Sequence, residues 1–402
     1  MEGTNVASRS AVRRIALAKG LSGTGSGIAN VALSYLVFQR TNSALWLAGT
    51  LFFSFGVVGL LTPFAGKLVD RYDRRRVMIA SDIGSLLTWS LLAFTREPLA
   101  IAAIGFVASV LAVPVGLAAN AAVPNLVEDE KDLAWANGLI AAAANAARLA
   151  GPAIGGGLYA LGGASLAFIV NAASFGASAL LVASVRGRSF SAERPGEEPS
   201  DGSLEGFRVI RRDRMLLWIT VAWTMMWLAM NVAYVADPPL ARGFGVGPLG
   251  FGLIDTSFGA GALLGSLLAV RFVRSSARTW VAAGMLGVAA GWGMIALTPW
   301  FALVLVGSAI AAGLDAIGTV AGYGLIQRRT PDAVRGRVFA AQSAAGLSAN
   351  MVGFVIVGPL VEVLGPQAVY GLGGIVSILA ALAFVIPTRV SEVAERSAVG
   401  PA

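Results

Sequence analysis

Few side chains in this sequence could do chemistry in an apolar setting, and most of those that could are carboxylates. Its 402 residues include no cysteine and no histidine. Disulfide and thiol chemistry, zinc sites and imidazole acid–base catalysis are therefore excluded, and proton handling falls to aspartate and glutamate. Four charges interrupt long apolar stretches: Asp82, Arg148, Asp255 and Asp315. A charge at the centre of a membrane helix costs about 2.5–3.5 kcal/mol on insertion scales, so an idle one is not expected. Arg148 and Asp315 lie about midway along their stretches, and Asp255 lies in the outer third of its own. Asp82 is close to a stretch end and reads first as structural, an anchor for the arginine-rich loop before it. Ser308, Asp315, Thr319 and Gly322 fall on one helical face. Asp315 therefore reads as the principal acid of a polar cavity, able to take up and release a proton. Arg148 fits two roles equally, pairing with an acid or touching a ligand.

Stripes of small and polar residues recur at helical spacing. They are Gly23, Gly27, Asn30 and Ser34; Thr224, Trp227, Asn231 and Tyr234; and Gln342, Gly346 and Asn350. Each fits cavity lining and helix packing equally well. A phosphate-binding loop is missing: Gly66-Lys67 has Leu61, not glycine, five places earlier. No nucleophile–base set or close carboxylate pair falls within the stretches. No cofactor and no metal are expected.

The elements that must carry these residues follow from composition. The chain is 56% apolar and only 13% charged, about half the charge that a water-facing surface needs. Fifty glycines suit helices whose backbones touch in lipid. Twelve stretches are long enough to cross a bilayer: 15–38, 44–68, 77–95, 100–121, 137–159, 163–185, 215–237, 249–270, 280–297, 301–326, 338–360 and 366–387. The first, with Arg9, Arg13 and Arg14 ahead of it, reads as a retained helix rather than a cleaved signal. The fold class is thus an all-α membrane protein of twelve transmembrane helices.

The net charge of +8 is spread between spans, which points to membrane topology and not to nucleic acid. With the N-terminus inside, Arg40, Arg96 and Arg242 alone fall outside and Arg148 falls within a span. Every other Lys and Arg is cytoplasmic, so both termini are expected there, in the cell's inner membrane. Residues 186–214 form the longest polar stretch. Its first part, 191–203, is rich in Pro, Gly, Ser and Glu and reads as a linker. Its second part, with Leu204, Phe207 and Ile210 among arginines, reads as a helix on the inner membrane surface, or else as a basic loop. This divides the chain into bundles at 1–185 and 215–388, a linker at 186–214 and a tail at 389–402.

The bundles echo one another. Asn30-Val31-Ala32 returns as Asn231-Val232-Ala233, and Ser54-Phe55-Gly56 as Ser257-Phe258-Gly259. An ordered repeat at roughly 200 residues implies two six-helix halves of like orientation with a site between them.

The loop after the second span reads Gly66-Lys67-Leu68-Val69-Asp70-Arg71-Tyr72-Asp73-Arg74-Arg75-Arg76. It resembles the signature of the major facilitator superfamily, with Asp73 where glycine is usual. The resemblance implies a cytoplasmic latch: Gly66 for close helix approach, Asp70 docked at a helix N-terminus of the other half, and Arg71 and Arg74 anchored to phosphates or carboxylates. The equivalent second-half loop has Val270 in place of the acid, so the latch reads as one-sided. In the fifth span, Gly138, Ala147 and Gly151-Pro152-Ala153-Ile154-Gly155-Gly156 are similar to the family's exporter-associated signature, with Ala147 replacing a glycine. The same residues also suit a tightly packed helix with no bearing on direction. Residues 120–156 resemble a subgroup that includes siderophore and macrolide exporters. Proton-coupled relatives often carry an arginine in the fourth span, whereas this chain has Ala112-Val113-Pro114-Val115 before Gly116.

Together these features imply a secondary transporter, expected as a monomer in the bilayer, exporting a small amphipathic substrate against an ion, a proton first. An importer or facilitator on the same fold remains open, as does a membrane enzyme or transport-inactive sensor.

Overall fold

The computed structural model describes residues 2–126, 130–185, 202–272 and 276–398, and every regular element among the described residues is helical. Ten stretches are long and apolar enough to cross a membrane. One of them, Asp132–Ala183, holds two crossings, because it leaves helical geometry at Gly162 and Gly163. Gly163 sits at φ +71°, where a side chain would strain the backbone. The more polar helix Arg74–Leu92 completes the twelve crossings that the hydropathy pattern predicts.

In chain order the helices are α1 Glu2–Thr41, α2 Ala44–Arg71, α3 Arg74–Leu92 and α4 Pro98–Leu126. The two arms of Glu130–Ala183 are α5 and α6. Then follow α7 Gly202–Arg212, α8 Arg214–Gly243, α9 Gly247–Phe272, α10 Ala277–Leu297, α11 Phe301–Arg329, α12 Asp332–Leu364 and α13 Pro366–Ala398.

The chain forms two compact units. One comprises Met1–Glu198 with Ala241–Thr256, the other Pro199–Leu240 with Ser257–Ala402. The sequence division assigns 241–256 to the second bundle. The segment sides with the first because its backbone rests directly on α5.

Within the first unit, small residues join α1 to α5. A Cβ built on Gly155 would lie 2.7 Å from Cα of Ile28, one on Gly151 2.9 Å from the carbonyl oxygen of Thr24, and one on Gly27 3.0 Å from Cα of Gly151. Within the second unit, α11 is held the same way on two sides. Gly261 and Gly265 of α9 abut Ala309 and Gly313, while Gly284 and Gly291 of α10 abut Gly318 and Gly307. The helices approach until main chains touch, which only glycine permits.

The two units end their helices alike. Asp73 caps α3 by accepting from the Arg76 N–H at 3.0 Å, and Ser276 caps α10 by accepting from the Thr279 N–H at 3.4 Å. In the next turn Arg75 donates to the carbonyl of Ala183, the last residue of α6, and Arg278 donates to Val385 of α13 at 3.1 Å. Cap and guanidinium recur at the spacing of the sequence repeat. They also explain Asp73, whose carboxylate gives the N-cap a side-chain acceptor that glycine lacks.

Residues Gly202–Arg212 form a helix, α7, which packs against α12. Ile210 is buried, Gly206 fits against the Arg337 carbonyl of α12, and Glu205 pairs with Arg337. Most of the linker, 186–201, lies outside the described residues.

These contacts make a sharp distinction between glycines. A Cβ on Gly265 would lie 2.8 Å from Cα of Gly313, whereas one on Gly293 meets nothing within 4 Å. Gly265→Ala should destabilise the protein by about 1–3 kcal/mol through overpacking, and Gly293→Ala should gain up to about 1 kcal/mol of helix propensity. Thermal unfolding of the detergent-solubilised chain checks this; equal melting of the two variants would contradict the backbone-contact account.

Candidate functional site

In the first unit α5 offers two adjacent faces. Ala147, Gly151 and Gly155 meet α1. One position further round, Arg148, Pro152 and Gly156 recur every fourth residue and so share a face. Gly156 lies against Pro248 and Leu249, and the Pro152 carbonyl against Gly252 of α9. Residue numbers rise on α5 as they fall on α9, so these segments run antiparallel. One turn below the Pro152–Gly252 contact lie Arg148 on one side and Asp255 with Thr256 on the other. The register therefore sets Arg148 and Asp255 at one level on facing helices. Arg148 is exposed and Asp255 half-buried, and neither makes a hydrogen bond or ion pair among the described residues. The Thr256 hydroxyl is closed off and also unpartnered. Pro152 has no N–H, so the Arg148 carbonyl lacks its usual helical donor.

In the second unit, Asp315 and Thr319 are half-buried on α11, and Ser308 is buried on the same face. Gly322 of that face meets the Trp223 ring of α8. Because α9 and α10 occupy the remaining sides of α11, the Asp315 face turns toward α8. Among the described residues Asp315 makes no hydrogen bond or ion pair.

Several polar residues placed by spacing alone prove to be packing groups. Asn231 is 0% exposed; its Nδ2 donates to the Trp227 carbonyl at 3.0 Å, and Gly353 of α12 closes over it. Gln342 Nε2 donates to Thr220 Oγ1 at 3.0 Å, and Gly346 meets the Trp227 indole. On α1, Gly23 and Gly27 are taken up by α5, while Asn30 stays exposed.

The arginine-rich loop differs from its sequence reading in three respects. Nothing lies within 4 Å of a Cβ built on Gly66, nor on Gly138, so neither glycine serves a close approach here. Arg74 donates to the Ala121 carbonyl of α4 at 2.7 Å, as Arg75 does to Ala183. Both donate to main-chain carbonyls within their own unit, and that of Ala183 lies in the last turn of α6, where helical donors run out. Asp82 holds no arginine. It is 0% exposed and accepts from Ser178 Oγ at 2.7 Å, tying α3 to α6. Asp70 is exposed and without a partner among the described residues, and Arg71 stacks over Tyr72, 5.8 Å from the ring centroid.

One intramembrane acid escaped the sequence reading. Asp237 of α8 is buried and accepts from the Tyr370 hydroxyl of α13. It is the last residue of the seventh span as hydropathy draws it, directly before Pro238 and Pro239.

The Major Facilitator Superfamily model matches residues 15–236 and 219–401. The chain is 27% identical over 377 residues to the multidrug efflux pump Tap of Mycobacterium tuberculosis, covering 87% of each chain. It is likewise 27% identical over 368 residues to the enterobactin exporter EntS of Escherichia coli, covering 89% of this chain and 87% of that one. Among solved structures, the nucleoside transporter NupG aligns with a TM-score of 0.76 at 14% identity, over 94% of this chain and 99% of that one. A bacterial homologue of the iron transporter ferroportin, in an inward-facing state, aligns with a TM-score of 0.72 at 18% identity, over 94% and 98%. At such identities the structures speak for the fold alone.

The register of α5 on α9 can be tested because the chain has no cysteine of its own. Arg148→Cys with Asp255→Cys should be bridged efficiently by a short bis-maleimide, read as a linked species after proteolysis within residues 186–201. Ala146→Cys with Asp255→Cys, on another side of α5, should not. Equal yields from the two pairs would overturn the register.

Proposed function

This chain belongs to the major facilitator superfamily, and from that premise we propose that it exports small amphipathic molecules, using an ion gradient in which the proton is the coupling ion. It is a multi-pass secondary transporter; direction, coupling and site residues are our reading. The basic-residue pattern supports both termini being cytoplasmic. Arg148, Asp255, Asn30 and Thr319 contribute substrate contacts, and Asp315 carries the proton.

The observation that carries this reading is the joint between α5 and α9. There Gly156 rests on Pro248 and Leu249, and Pro152 on Gly252. On the proposed topology this joint lies toward the outer side. A seal of bare backbone there, with two unpaired opposite charges one turn below it, is what an outer gate above a polar site requires. Export is supported by the two relatives, named as an efflux pump and as an exporter. Proton coupling is supported by Asp315, an unpartnered carboxylate about midway along its span in a chain without histidine. It needs no arginine in the fourth span if protonation alternates with substrate occupancy.

The experiment uses inverted membrane vesicles with an imposed pH gradient and ethidium as the probe. The parent protein should accumulate ethidium. Asp315→Asn should lose gradient-driven uptake at least tenfold while keeping its fold. Gly155→Leu, which forces a side chain into the Ile28 backbone, should replace active uptake with passive leak. Parent-like uptake by Asp315→Asn would remove it as the coupling group, and sealed, normal uptake by Gly155→Leu would reduce the α5 segment to ordinary packing.

A further inference from the structure

The first unit holds a cavity at the end opposite the arginine-rich loop. It has a volume of about 740 Å³ and lies among the ends of α1, α3, α5 and α6. Its rim carries Arg40 and Arg96. Both are exposed, and neither makes a hydrogen bond or ion pair among the described residues. No acid lines the cavity. Its neutral polar wall is Gln39 and Tyr159, whose hydroxyl donates to Gln39 Oε1. The wall below is apolar, formed by Leu36, Leu92, Phe94 and Phe168. Phe94 is 79% exposed, a large ring left to face lipid. The first residues of α6, Gly163 to Ser165, also border it.

Among the described residues at this end of the first unit are the arginines Arg40, Arg96 and Arg242. Arg242 is committed to Asn42. The other two are free and share one cavity. Two guanidiniums over an apolar wall, at the depth where helices leave the hydrocarbon, match the two ends of a phospholipid. The oxyanion meets the arginines, and the acyl chain lies along Leu36, Leu92 and Phe94. We propose that this cavity binds the phosphate of an anionic phospholipid from the outer leaflet, as a site separate from the substrate path. Arginine suits a phosphate oxyanion because its planar fork donates two parallel hydrogen bonds. A net negative headgroup is favoured over a zwitterionic one because no carboxylate in the lining can take an ammonium group.

The test places a single cysteine in the cavity wall, Thr95→Cys, labels it with bimane and reconstitutes the full chain. Phosphatidylglycerol with brominated acyl chains should quench the label at mole fractions at least ten times lower than brominated phosphatidylcholine. Arg40→Gln with Arg96→Gln should abolish this preference, since two arginines near a charged headgroup, each worth about fivefold, together account for about twenty-fivefold. Melting of the labelled protein in detergent without added lipid should stay unchanged. Arg40→Lys with Arg96→Lys should recover part of the preference, which a merely misfolded rim would not do. Equal quenching by the two lipids, or a preference that survives loss of both arginines, would overturn the proposal. Inorganic phosphate in solution should not compete; if it displaces the lipid at millimolar concentration, the cavity is a site for soluble oxyanions and the lipid assignment falls.

Discussion

Helices in a bilayer gain little by burying apolar surface against each other, since lipid tails are as apolar as leucine. What then holds them is how closely their main chains approach, and the rest of this structure depends on that constraint. Gly27, Gly151 and Gly155 bring α1 and α5 into backbone contact, and Gly261, Gly265, Gly284 and Gly291 seat α11 between α9 and α10. Dispersion falls off steeply with distance, so a gap of half an ångström forfeits a sizeable part of each contact. The glycine content is thus the fold's main source of cohesion. It also fixes the rotation of each helix and so decides which residues are left facing open space.

Polar groups follow from that arrangement. Arginines in the first turns of α3 and α10 donate to main-chain carbonyls of neighbouring helices: Arg74 to Ala121, Arg75 to Ala183 and Arg278 to Val385. Buried acids are tied by hydroxyls, Asp82 by Ser178 and Asp237 by Tyr370. Once these are accounted for, Arg148, Asp255 and Asp315 remain as intramembrane charges without partners. Their insertion penalty is not offset by any pairing within the described residues, which is the physical basis for proposing that they serve transport rather than folding.

Spans, the arginine-rich loop, the repeat and the α7 helix were legible because each is a pattern along the chain. Helix rotation was not. Spacing shows that Gly23, Gly27 and Asn30 share a face, but not that α5 consumes the first two and leaves the third exposed. For the same reason Asn231 looked like a cavity residue until Gly353 was found over it, and Gly66 looked like a contact point where there is open space. Asp73 was read as a departure from a motif, although an acid directly before three arginines at a helix start is itself a capping signal. Asp237 shows the other limit, that of a span end drawn by hydropathy, since the Pro238-Pro239 pair lies inside α8 and does not end it.

The joint between α5 and α9 draws these strands together. Its contacts are between main chains, with no ion pair and no side-chain hydrogen bond among the described residues to break when it parts. Separation therefore loses dispersion but leaves no charge newly stranded, so the joint can be tight without being permanent. Directly beneath it the polar groups are already unsatisfied: the Arg148 guanidinium, the carbonyl that Pro152 deprives of a donor, the Asp255 carboxylate and the Thr256 hydroxyl. On the proposed reading, a substrate arriving there would not have to compete with an internal partner for Arg148 or Asp255; the Thr256 hydroxyl is closed off. One Gly–Pro segment, on that same reading, supplies both the closure and, one turn away, the unpaired polar groups that it would enclose.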